Sequence, residues 1–302
     1  MNLVSNDRQE DSPYLQLLML LFYAVIGLFV AMIVGLFLIF LQYGKEAILD
    51  MSWMSGADPA YLPAQRILIS AQQFGLFLIP AVLLAITQGK KAKVFYGFKK
   101  PQADLLLLVL FIMMACTPLL EWVGRLNQEM SFPKSLKGVE LWMKSAEDRA
   151  AETTEALLKM NNIGTFLINL LMIAVLPAVA EELMFRGGLQ RTLTRIFKNP
   201  HVAIWCAAFI FSAIHVQFYG FIPRLLLGAT FGYLYFWSGS IWYAMIAHFI
   251  NNAYAICAAW YMQKNNIPLS EADKTMNIAW YGYIISAILT VVLFRYFKRQ
   301  TE

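Results

Sequence analysis

The chain has 302 residues, of which 59% are hydrophobic and 14% charged, and its mean hydropathy is +0.56. Soluble domains carry roughly 25% charged residues, so a soluble enzyme is excluded and a polytopic, all-α membrane protein is expected. The net charge of +5 lies largely in short basic loops, where membrane topology accounts for it without a nucleic-acid partner.

A membrane-spanning helix needs about 20 apolar residues. The spacing predicts about eight such helices, over Leu15–Tyr43, Arg66–Gln88, Ala103–Leu126, Ile163–Arg191, Val202–Phe218, Phe221–Trp237, Ile241–Tyr261 and Ile278–Tyr296. The first follows an acidic stretch, Asp7 to Asp11, and is too long for a signal-peptide core, so it reads as a retained span. Lys90, Lys91, Lys93, Lys99 and Lys100 follow the second span. Arg186, Arg191, Arg195 and Lys198 mark the end of the fourth, and Lys298 and Arg299 end the last. With eight spans these regions share one side, which the distribution of Lys and Arg assigns to the cytoplasm together with both termini. The longest polar insertion, Asn127 to Asn162, has Trp142 and Met143 on a potential apolar face and is expected to form one or two amphipathic helices.

The chain then divides into a three-span region over 1–162 that includes the insertion at 127–162, a core over 163–262, and a final span and tail over 263–302. Cys116, Cys206 and Cys257 fall in separate apolar runs with no metal-ligand spacing and read as small buried hydrophobes. Gly228 and Gly232 form a GxxxG in the sixth span, a pattern that permits close helix packing.

The polar residues inside the apolar runs carry the functional signal, because ionisable groups in a membrane segment are costly and usually face the bundle interior. Glu181 and Glu182 are adjacent, and Glu182 and Arg186 are separated by i,i+4 and can pair on one helix face. Pro177, four residues before Glu181, is expected to bend the helix. His215 ends Phe-Ile-Phe-Ser-Ala-Ile-His, and His248 and Asn252 are again i,i+4, with Asn251 pointing elsewhere. Counted from the cytoplasmic boundary, Glu181 lies about 15 Å deep, His215 about 20 Å, His248 about 10 Å and Asn252 about 16 Å. All four reach one layer, provided that the fourth span continues as helix through Arg186.

The Glu-Glu-x-x-x-Arg run, Phe211-x-x-x-His215 and His248-x-x-x-Asn252, in this order on successive spans, resemble the CPBP family of CaaX proteases and bacteriocin-processing enzymes, also called Abi. The motifs cover roughly residues 165–260. The resemblance implies hydrolysis of peptide bonds within the membrane. By this analogy Glu181 is the general base and holds the attacking water with His215, His248 and Asn252 donate to the oxyanion, and Glu182 and Arg186 orient the site or the substrate. No cofactor is expected; the alternative is zinc on Glu181, His215 and His248, since one carboxylate and two histidines form a known catalytic ligand set. GxSxG, GxGD and HExxH motifs do not occur in the sequence, which leaves the glutamate class among intramembrane proteases.

The expected partners are the bilayer and a peptide or membrane-protein tail, bacteriocin precursors among them. The expected location is a bacterial inner membrane, and the oligomeric state is left open. Two rival readings use the same residues: a non-catalytic scaffold or immunity protein, and a proton-coupled transporter. Glu121, near the outer end of the third span, and Arg224, near the outer start of the sixth, are read either as a surface pair or as part of a substrate entrance.

Overall fold

The computed structural model describes residues 9–55, 58–269 and 278–301; Asp7 and Arg8 of the acidic stretch lie outside them. Among the described residues the chain is helical throughout, with no strand. We number the main helices α1 (Pro13–Tyr43), α2 (Pro59–Thr87), α3 (Ala103–Gln128), α4 (Lys137–Leu158), α5 (Ile163–Phe197), α6 (Pro200–Ala213), α7 (Phe221–Ser238), α8 (Ile241–Lys264) and α9 (Trp280–Thr301).

The protein is thus an all-α polytopic membrane protein. Each of the eight apolar stretches is helical, and α1, α2, α3, α5 and α9 are long and apolar enough to cross a bilayer; α6 is apolar but shorter. Several expected boundaries shift, with the second span starting at Pro59 and the fourth running to Phe197, and one of them bears on the site. The helix read as Val202–Phe218 ends at Ala213, and His215 sits in the turn that follows, where Val216 adopts a left-handed φ of 55°. The polar insertion forms a single long helix, α4, after a short 3₁₀ turn. Met143 is buried on its inner face, and Trp142 contacts Phe218 with ring centroids 5.9 Å apart. The expected pairing of Glu121 with Arg224 is not made: Glu121 binds Arg125 at 2.5 Å, and Arg224 donates to Gln217 Oε1 at 2.7 Å.

α5 is the hub, packed against α1, α2, α6, α7 and α8, while α3 packs with α7, α8 and α9. Two π-helical segments, Leu170–Val175 and Leu183–Gln190, flank the glutamates in α5, and a third, Gln73–Leu78, lies in α2. Such segments change the direction of side chains within a helix and are frequent at functional sites. Pro177 explains one consequence. It offers no N–H to the carbonyl four residues back, Ile173, and Asn252 Nδ2 of α8 donates to that oxygen at 3.0 Å. In α3, next to Pro118, Ser286 Oγ of α9 bridges the i,i+4 pair Ala115 and Leu119: it donates to the Ala115 carbonyl at 2.5 Å and accepts from Leu119 N at 3.1 Å.

The GxxxG of α7 acts through its backbone. Arg186 Nη2 donates to the Gly228 carbonyl at 2.9 Å and Gln190 Nε2 to the Gly232 carbonyl at 3.1 Å. Residues 186 and 190 are one turn apart on α5, as 228 and 232 are on α7, so two rungs join the helices. A Cβ on Gly232 would lie 2.7 Å from Gln190 Oε1 and 2.9 Å from Ile204 Cγ2. Gly232→Ala is therefore expected to destabilise the protein by about 1–3 kcal/mol. Gly124→Ala, whose Cβ would meet only Pro223 at 3.8 Å, is expected to be neutral. Thermal unfolding in detergent compares the two.

A polar clamp closes the face that carries the basic loops. Ahead of α1, Glu10 accepts from Arg191 at 2.6 Å, Arg195 at 3.2 Å and Gln16 at 3.3 Å. Asp11 and Gln88, at the end of α2, exchange hydrogen bonds of 2.8 and 2.9 Å. Burial raises the Glu10 pKa, but the hydrogen bonds and charges of Arg191, Gln16 and Arg195 outweigh it, so the carboxyl sits below its ordinary value of 4.5. A carboxylate with a depressed folded pKa stabilises above its unfolded pKa and loses that contribution as pH falls through the folded one. The clamp is therefore expected to hold above pH 4.5 and to loosen below it, read as increased amide exchange over residues 9–16 in wild type and as a pH-independent exchange rate ratio in Glu10→Gln.

Candidate active site

Glu181 lies eighteen residues after Ile163 and sixteen before Phe197, close to the middle of α5. Helical hydrogen bonding continues from the glutamates through Arg186, now in π form, so the condition for a shared layer is met. Adjacent residues on a helix diverge by about 100°, and the two carboxylates accordingly serve different neighbours.

Glu182, fully buried, is the structural anchor. Its Oε1 accepts from Arg186 Nη1 at 2.9 Å and faces His248 Nδ1 at 2.8 Å, whereas Oε2 has no hydrogen-bond partner. Arg186 is 1% exposed, and its guanidinium lies over the rings of Phe211 and Phe231, 4.7 and 5.3 Å from the centroids. A buried charge requires compensation of this kind, from an opposite charge, a backbone carbonyl and aromatic faces together.

Glu181, 5% exposed, turns toward α2 and α8. Its Oε1 accepts from Gln73 Nε2 at 2.9 Å, and its Oε2 lies 3.9 Å from His248 Nε2. His248 thus stands between the two carboxylates. A carboxylate at Nδ1 holds the proton on that nitrogen and directs Nε2 toward Glu181, as the buried carboxylate does in a catalytic triad. The ring is fixed further by stacking on Phe231, centroids 5.1 Å apart and 16° between planes, and by the edge of Phe211.

His215 occupies the turn beyond α6. Its Nδ1 lies 2.8 Å from the Phe211 carbonyl, which can only accept, so Nδ1 carries the proton and Nε2 the lone pair. Phe211 also contacts its ring, centroids 5.2 Å apart. His248 and Arg224 are both within electrostatic reach of His215. Among the described residues, no hydrogen bond joins His215 to Glu181.

The structure therefore brings Glu181, Glu182, Arg186 and His248 into direct contact and sets His215 next to them through Phe211. Asn252 is placed differently from the other candidates. One hydrogen of its amide is bound to the Ile173 carbonyl, and its Oδ1 accepts from Asn251 at 3.1 Å, which leaves the second amide hydrogen for any further acceptor. Gln73 was missed: it lay among neutral polar residues at the start of an apolar run, with no spacing that tied it to Glu181. The signal was its depth alone. Under the reaction proposed below, Gln73→Leu is expected to lower kcat about tenfold, or about 1.4 kcal/mol in the barrier, because it removes the hydrogen bond that holds the Glu181 carboxylate; steady-state cleavage measures this.

Zinc on Glu181, His215 and His248 would need three converging donors. The Nδ1 atoms of His248 and His215 face Glu182 and a carbonyl, which leaves each Nε2 as the candidate donor, and among the described residues no three His, Cys, Asp or Glu side chains form a group that could hold a metal ion. Zinc enters no step of the reaction proposed below.

Comparison with known proteins bears on the same region. Residues 163–254 match the family described as Type II CAAX prenyl endopeptidase Rce1-like. Residues 163–254 form an Rce1-like segment. This segment contains Glu181, Glu182, Arg186, His215, His248 and Asn252, and the similarity to a protease family is confined to it. The chain is also similar to the uncharacterized protein YpbD of Bacillus subtilis (strain 168), 32% identical over 93 residues, which cover 30% of this chain and 44% of that protein. The match thus spans less than half the length of this relative. No solved structure matches with significance.

Proposed function

We propose that the protein is an intramembrane endopeptidase of glutamic type that hydrolyses membrane-associated peptides or protein tails, working in a bacterial inner membrane with both termini cytoplasmic. The observation that carries the reading is the division of labour between adjacent carboxylates around one imidazole: Glu182 is committed to Arg186 and His248, whereas Glu181 has one oxygen held by Gln73 and the other 3.9 Å from His248 Nε2. That gap leaves Glu181 Oε2 without a direct hydrogen bond to His248.

In this reading a water lies between Glu181 and His215. His215 Nε2 accepts one of its hydrogens and orients it, and Glu181 removes the other as its oxygen attacks the scissile carbonyl carbon. The carbonyl π pair moves to oxygen. His248, its ring oriented by Glu182 at Nδ1, donates from Nε2 to that oxyanion; fixed donors in a dry site stabilise such charge strongly. Collapse reforms the carbonyl and expels the amine, which takes the proton held by Glu181. Asn252 acts at one remove, by holding the Pro177 segment that carries the glutamates.

The test is a comparison of membrane-peptide N-termini, by mass spectrometry, between cells expressing wild type and Glu181→Ala at matched levels. New termini seen only with wild type are expected. Identical profiles would overturn the proposal: retention of the phenotype by the variant would favour a scaffold, and its loss a transporter.

A further inference from the structure

A groove on the side of α1 and α2 takes no part in the proposed hydrolysis. It has a volume of about 620 Å³ and runs between α1, α2 and Met172 of α5, within the roughly 300–1,000 Å³ range of small-ligand sites. Along α1 its lining extends from Tyr23 to Leu38, about 22 Å of helix rise, the scale of an extended lipid chain in one leaflet. Glycines shape it. Gly27 meets Gly75 backbone to backbone, and Gly35 seats against Ala71 and Leu68, so α1 and α2 cross closely.

One lining residue, Arg66, is charged. It lies at the end of the groove away from the basic loops, seven residues inside Pro59 and so about 10 Å into the span. Asn169, six residues inside Ile163, is at a matching depth and accepts from Arg66 Nη2 at 3.3 Å. Arg66 Nε is buried without a hydrogen bond, and among the described residues no carboxylate pairs with this arginine. A guanidinium drawn partly out of water without a counter-anion is costly, and its planar fork matches phosphate oxygens.

We propose that this groove binds a phospholipid with an anionic headgroup, with Arg66 on the phosphate and one acyl chain lying along α1 from Leu38 toward Tyr23. Charge complementarity selects the occupant: an apolar slot ending in an unpaired cation fits an anionic amphiphile. A zwitterionic headgroup supplies the same phosphate but brings its own cation to the same place.

Native mass spectrometry of the protein, delipidated in detergent and given equal amounts of phosphatidylglycerol and phosphatidylcholine with the same acyl chains, tests this. Wild type is expected to retain phosphatidylglycerol about tenfold more than phosphatidylcholine, the scale of one charge-assisted hydrogen bond. Arg66→Gln is expected to lose the preference, and Val34→Trp, which fills the exposed wall and leaves the cation intact, to lose retention of both lipids. Equal retention by wild type, or a preference that survives Arg66→Gln, overturns the site and leaves only annular lipid. If Arg66→Gln does not fold, undiminished retention by Val34→Trp overturns it instead. A dimer mass that disappears in Val34→Trp in place of a bound lipid assigns the groove to a second copy and also overturns it.

Discussion

Glu181→Gln is expected to lower peptide-bond cleavage by about 10²- to 10⁴-fold, the contribution of a general base, with little change in KM or in thermal stability. The amide keeps the size of the carboxylate and its oxygen still accepts from Gln73, so the hydrogen bond that now measures 2.9 Å survives. What is lost, in the proposed mechanism, is the group that takes the proton from water. The contrast with Glu182 sharpens the test. Glu182→Gln alters the partner of both Arg186 and His248 and is expected to impair folding and catalysis together. Initial rates and unfolding midpoints for the two variants, measured on the same preparations, separate the roles. Full activity of Glu181→Gln would remove the base from the mechanism, and equal instability of both variants would make Glu181 a structural residue.

Arg186→Met is expected to have the largest effect on stability, about 3–5 kcal/mol, because removing one member of a buried ion pair leaves the other uncompensated. The arginine is 1% exposed and the glutamate fully buried. The variant also loses the bond to the Gly228 carbonyl and the cation's contacts with Phe211 and Phe231. With Glu182→Gln added, the stranded charge disappears and part of the loss is expected to return, although His248 then loses the carboxylate at Nδ1. Denaturation of the wild type, both single variants and the double variant in mixed micelles completes the cycle. A loss below about 1 kcal/mol for Arg186→Met would place the pair among those that contribute little.

Much of this arrangement was legible from a single rule: polar residues inside long apolar runs must find partners within the protein. It identified α5 as the helix of interest, paired Glu182 with Arg186, and brought His248 to the glutamates from a separate span. The rule specifies that a partner exists and leaves its identity open. His248 was expected beside Glu181 and is also bound to Glu182, because the ring is wide enough to meet both carboxylates. Asn252, one turn from His248, shares its face and was grouped with it. The carbonyl freed by Pro177 takes one hydrogen of its amide.

Other features left no local signal. Nothing in Phe211 to Phe218 marks the end of α6, since neither Gly nor Pro occurs before Gly220, and the helix yields to a turn in which His215 is presented. The π segments likewise follow from packing between helices; Pro80 and Pro177, each just beyond one of them, mark where normal helical hydrogen bonding fails without showing how it is repaired. Among the described residues, α7 and α8 do not qualify as spans by apolarity and length, and α8 is the helix that contributes His248, Asn251 and Asn252. Polar content that builds the site weakens the membrane signal of the helix that carries it.

The most direct test of the account is cleavage of a membrane peptide by the purified protein in sealed vesicles prepared in heavy-oxygen water. The peptide is supplied outside, and both the products and the luminal contents are analysed by mass spectrometry. The account predicts a new carboxyl terminus carrying heavy oxygen from the solvent with wild type, and none with Glu181→Gln. Intact peptide in the lumen without any new terminus would contradict it and identify the polar layer as a transport path.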